Sequence, residues 1–205
     1  MLKVIRLVKK VMVVLLVGAI SAGTAIGVWG SEYNYGESRD WSFLIVDGKV
    51  DSSLIRETKE ELSKLPEVLT DRFSSDGWQI LVTDKNIDSY FLNGRFGSVM
   101  GWVSLDTNQI YIEAREKAIR EATIHEFGHY FDRVLGSRLS ETSEFWSIYN
   151  SESQAERDSF GATCYWNNCE FFAESFWYYW VQADELYNNC PLVYSYIDMN
   201  IKDFK

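Results

Sequence analysis

The chain has two histidines, and both fall within His125-Glu126-Phe127-Gly128-His129. No other feature constrains the fold as tightly. Two imidazoles at that spacing reach one centre when the backbone between them is helical, because residues four apart then stand one turn above the other on a single face. The flanking sequence agrees: residues 114–135 contain no proline, and Gly128 is their one glycine. The pattern predicts a helix over 114–135, with Gly136 placed to end it as a left-handed cap.

That helix has the makings of a metal site. Zinc takes imidazole nitrogen readily in a four-coordinate shell, so His125 and His129 are candidate ligands. Glu126 projects beside the same face, where it can act as a general base on water and pass the proton to a leaving amine. A third ligand has to come from elsewhere, and with no further histidine in the chain it has to be a carboxylate. Glu170-Phe171-Phe172-Ala173-Glu174 offers two glutamates one helical turn apart in an aromatic setting. Buried carboxylates are costly unless paired or bound to a cation, so something positive is expected opposite them.

The rest of the sequence frames this helix. Short apolar runs at 43–46 and 78–83 read as strands. Residues 98–103 and 109–112, separated by a polar turn, read as a hairpin or two adjacent strands. Helices are predicted at 53–65, stopping at Pro66, at 67–73, near 143–149, over 170–182 and from Pro191 onward. Strands come first and helices follow, which argues for an α+β domain: a small N-terminal sheet, the histidine-bearing helix, and a mainly helical C-terminal part. Trp102, on the candidate edge strand 99–103, is either a core residue or a ring offered to a prolyl or apolar side chain.

The N-terminus reads differently. Lys3, Arg6, Lys9 and Lys10 precede an apolar run over 11–29, and 1–29 contains no acidic residue. This is an export segment, either a cleaved signal peptide or a retained membrane anchor. Residues 30–42 read as a linker, and 43–205 as one domain. Beyond residue 29 there are 16 basic against 30 acidic residues, a net charge of −14 that suits an exported soluble domain and disfavours nucleic acid as a partner. Cys164, Cys169 and Cys190 do not have zinc-module spacing. Outside the cell a Cys164–Cys169 bridge, or a bridge from Cys190 to either, is open. Nothing in the sequence fixes the oligomeric state.

His125-Glu126-Phe127-Gly128-His129 followed by Glu170-Phe171-Phe172-Ala173-Glu174-Ser175-Phe176 resembles the catalytic domain of the anthrax lethal factor-like metallopeptidases, a family that includes the Pro-Pro endopeptidases. The resemblance covers roughly residues 98–197. It implies a zincin-like fold of the gluzincin type, a zinc ion, and a peptide or protein substrate held extended along a sheet edge. On the matching positions it implies His125, His129 and Glu170 as metal ligands, Glu126 as general base, and Glu174 as the carboxylate that orients a ligand histidine. The family also carries a tyrosine seven residues before its ligand glutamate, which helps stabilise the oxyanion. Here that position is Thr163. Tyr165 is the candidate substitute, and Phe160 takes the family position if 163–169 is an insertion. The competing expectations are a peptide-binding protein of the same fold without turnover, and a zinc hydrolase acting on something other than peptide.

Overall fold

A computed structural model of the chain describes residues 39–97, 99–161 and 167–202. Among the described residues the sheet has four strands in the order β1 (Leu44–Asp47), β2 (Gln79–Thr83), β4 (Gln109–Glu113), β3 (Gly101–Ser104). The first three run parallel and β3 pairs antiparallel with β4, so β3 is an edge strand. Alternation sets the inner face. Ile80, Val82, Ile110 and Ile112 are fully buried, and β-branched side chains of this kind suit a pleated surface covered by helices.

Helix α1 (Ser52–Leu62) begins where the Asp51 carboxylate accepts from Ser53 N at 2.8 Å, and α2 (Glu67–Ser75) follows Pro66. The helix predicted over 53–65 ends at Leu62. Residues 63–65 form a turn whose neighbouring carbonyls are held by Arg39: its guanidinium donates to Leu62 O at 3.0 Å and Leu65 O at 2.9 Å. The short α3 (Ile87–Phe91) was not predicted, because five residues carry too little periodicity to register. The histidine-bearing helix α4 (Glu116–Tyr130) lies across the sheet, against β3, β4 and α1. It continues as a single π-helical segment, Phe131–Leu135.

Gly136 does not adopt the left-handed conformation expected of it. Its φ is −82°, and the left-handed residues are Ser137 (φ 54°) and Arg138 (φ 68°). The glycine is there for space, since a Cβ at 136 would collide with the Leu139 side chain.

The C-terminal part comprises α5 (Ser143–Phe160), α6 (Asn168–Val181), α7 (Ala183–Asn189) and α8 (Pro191–Lys202). Helix α5 extends well beyond the predicted 143–149, because its later turns bury polar groups where the sequence reading sought apolar ones. Glu152 accepts from Leu192 N and Val193 N, both at 2.9 Å, and so caps α8; Glu156 accepts from Ser175 Oγ at 2.6 Å. Cys169 and Cys190 are free thiols, so no bridge joins them, and Cys164 lies outside the described residues. Among the described residues no helix is long and apolar enough to cross a membrane. The segment predicted for export, 1–29, lies outside them.

Candidate active site

The site forms where α4 and α6 cross closely. Gly128 makes the approach possible: a Cβ there would stand 3.0 Å from Ala173 Cα and 3.1 Å from Phe176 Cβ. Ala173 lies between Glu170 and Glu174, so the two smallest residues of the two motifs face each other and bring both glutamates to the histidine face. Behind this contact, Phe131 stacks on Phe176 with ring centroids 5.2 Å apart, and Phe127, Phe172 and Phe176 are fully buried. The aromatic residues of α6 therefore fix the helix pair, while its two glutamates look into the site.

The start of α6 fixes Glu170. Asn167 caps the helix, its side chain accepting from Cys169 N at 2.8 Å and Glu170 N at 3.0 Å. A carboxylate in the first turn of a helix is favoured by the helix dipole. Glu170 Oε2 lies 3.4 Å from His125 Nε2, and Glu170 Oε1 lies 3.5 Å from His129 Nε2. The two imidazoles are nearly perpendicular, at 83°, with centroids 5.0 Å apart. One donor atom from each of His125, His129 and Glu170 lies within 4.8 Å of the other two.

Glu174 Oε2 is 2.9 Å from His125 Nδ1. With Nδ1 engaged, the imidazole presents Nε2 to the common centre. Burial opposes a charge on His125, but the carboxylates of Glu170 and Glu174 outweigh it and hold its pKa well above the usual histidine range. Burial likewise opposes ionisation of Glu170. Hydrogen bonds to the two histidines reverse that and hold its carboxyl far below the ordinary carboxylate range. Both shifts follow from packing two carboxylates against two imidazoles. Two imidazole nitrogens and one carboxylate oxygen are the donor set that zinc takes in catalytic sites, so the residues present fit the metal.

Glu126 is buried, and burial raises its pKa against the lowering influence of the histidines. Its side chain lies against the edge strand at Gly101. Trp102 is half-buried on that strand, opposite Tyr111, with its ring 5.8 Å from that of Phe96, which is 50% exposed. Tyr165 lies outside the described residues.

Three features escaped the sequence reading. The first is Asp132, three residues past His129 and fully buried, which accepts from Ser140 N and Ser140 Oγ, both at 2.7 Å. Ser140 O in turn accepts from Asn168 Nδ2 at 2.5 Å, so the tail of α4 is tied to the first turn of α6 beside Glu170. An acid in Phe131-Asp132-Arg133-Val134-Leu135, a stretch otherwise apolar but for Arg133, was the available signal. The second is Asp88, also buried, which accepts from Phe96 N at 2.9 Å and Gly97 N at 2.8 Å and pins the turn leading toward β3. The third is Gly101 itself, for which the signal is an isolated glycine within a strand pattern.

Comparison with known proteins gives the chain's family and its fold. A family model described as "Anthrax toxin lethal factor, N- and C-terminal domain" matches residues 37–200. A search of curated proteins finds no match. Among solved structures, the Pro-Pro endopeptidase PPEP-2 from Paenibacillus alvei shares the fold with a TM-score of 0.62, over 77% of this chain and 96% of that one, at 21% sequence identity. The chain belongs to the anthrax lethal factor family.

Proposed function

We propose that this protein is an exported zinc metalloendopeptidase. One observation carries the reading: Nε2 of both histidines and the Glu170 carboxylate face a common centre, with the buried Glu126 carboxylate beside it on the same helix.

His125, His129 and Glu170 would hold the ion. When bound, zinc supplies Lewis acidity, making water nucleophilic near neutral pH and polarising a carbonyl. Glu174 holds His125 by its Nδ1, fixing the ring. Glu126 accepts a proton from the attacking water on its carboxylate and delivers it to the leaving nitrogen. A positioned base of this kind contributes roughly 10²–10⁴-fold. The edge strand supports substrate binding. Glu113 N donates to Met100 O at 3.0 Å, so by antiparallel alternation Trp102 and Ser104 pair with β4, while Gly101 and Val103 turn their peptide groups to the open edge. An extended peptide adding beside β3 would use those groups. The half-buried Trp102, extended by the exposed Phe96, would offer an aromatic surface to a prolyl or apolar side chain. The acidic domain and the basic-then-apolar leader support action outside the cytoplasm, whether secreted or held at the membrane by residues 1–29.

The test is mass-spectrometric cleavage profiling on a peptide library that includes Pro-Pro sequences, with and without chelator. Cleavage that depends on metal and is lost in Glu126→Gln is the expected result. Zinc retention with no turnover of any peptide would instead identify a binding protein, and turnover of non-peptide substrates alone would identify another hydrolase.

A further inference from the structure

Resting on the peptidase reading above, we propose that Gly101 is a positioning residue for Glu126: the bare Cα of the edge strand sets where the carboxylate stands. A Cβ built on Gly101 would lie 2.5 Å from Glu126 Cγ, 2.7 Å from Oε1 and 2.9 Å from Cδ, and these are the three nearest atoms it would meet. Non-bonded carbons settle at about 3.5–4.0 Å, so a methyl group at 101 requires a displacement on the order of 1 Å.

The backbone does not demand this glycine. Gly101 is absent from the positive-φ residues, and its neighbours belong to the antiparallel ladder: Met100 O accepts from Glu113 N, and Trp102 stands opposite Tyr111. Any residue can adopt that conformation, and a β-branched one would suit the strand better. What the position demands is space over Glu126. The strand is held by its pairing, whereas Glu126 is a side chain with rotatable bonds, so the carboxylate yields first. Gly101 thereby acts on the base without touching the reacting atoms. Because its peptide groups face the open edge, the same residue sets the distance between a peptide laid along β3 and the base. A misplacement of about 1 Å in such a constellation costs on the order of 10²-fold in rate.

The experiment is a double-variant cycle on the zinc-loaded protein with Gly101→Ala, Glu126→Ala and the pair. It reads kcat, KM, zinc stoichiometry and melting midpoint. Gly101→Ala is expected to keep its zinc and hold KM within a few-fold while kcat falls roughly 10²-fold. Any loss of melting midpoint it causes is expected to vanish when Glu126 is already alanine. A wild-type kcat in Gly101→Ala overturns the proposal, and so does an equal midpoint loss in both backgrounds. Should Gly101→Ala fail to fold, the double variant is expected to fold, and its failure would place the clash elsewhere and overturn the proposal as well. A wild-type protein that cleaves no peptide sinks the peptidase reading alone, since the melting midpoints still decide whether residue 101 acts through Glu126.

Discussion

Nδ1 of His125 stands 2.9 Å from Oε2 of Glu174, a hydrogen bond between two helices that turns the ring's other nitrogen toward Glu170. Partners of this kind fix both the tautomer and the orientation of a metal-binding histidine, and their loss costs about 10–100-fold in metal affinity. Glu174→Ala is expected to weaken zinc binding by that factor, measured by competition with a chromogenic chelator. Glu174→Gln, which keeps an oxygen acceptor, should lose less.

The electrostatics of the cluster make metal retention dependent on pH. The folded-state pKa of His125 is raised, so in the metal-free protein its protonated form adds stability that is complete below the unfolded value and lost as pH rises through the folded one. Glu170 is depressed and behaves oppositely, its contribution disappearing only as pH falls toward its folded value. A cation competes with the His125 proton. The rise in melting temperature on adding zinc is therefore expected to grow as pH increases from about 5.5 to about 8, as followed by differential scanning fluorimetry. An increment independent of pH would mean that no imidazole exchanges its proton for the metal.

Gly128→Ala tests the helix crossing. In an isolated helix the substitution would gain roughly 1 kcal/mol of propensity. Here the added methyl would meet Ala173 Cα at 3.0 Å and Phe176 Cβ at 3.1 Å, and overpacking of that kind costs about 1–3 kcal/mol. The backbone atom cannot swing aside, so overpacking wins. Lower stability to urea and weaker zinc binding are expected together, because separating α4 from α6 carries Glu170 away from the histidines.

Asp132→Ala removes the acceptor for Ser140 N and Ser140 Oγ in a fully buried setting. An unmet buried donor costs about 1–3 kcal/mol, so a destabilisation of at least that order is expected in chemical denaturation. Asp132→Asn keeps an acceptor oxygen and should be milder.

The histidine helix was legible because a spacing of four has one structural meaning, and the strands at 43–46, 78–83 and 109–112 were legible because their apolar runs are short and bounded by turn residues. What was hidden depended on contacts distant in sequence. The later turns of α5 bury Glu152 and Glu156, whose partners, Val193 and Ser175, lie on other helices, and a periodicity of apolar residues cannot see them. Gly128 and Gly101 stand out in sequence as isolated glycines within a helix and a strand, but what excludes a side chain at each is an element that only the folded chain brings near. Glu170 and Glu174 could be paired by spacing, but their separate relations to Nε2 and Nδ1 of His125 emerge from the crossing of α4 and α6.

The most direct measurement is anomalous diffraction at the zinc absorption edge from crystals of the zinc-loaded protein. One full-occupancy peak is expected, about 2.0–2.2 Å from His125 Nε2, His129 Nε2 and a Glu170 carboxylate oxygen, with Glu126 outside the coordination shell. A peak bound elsewhere, or one held by the histidines while Glu170 points into bulk solvent, would contradict the account.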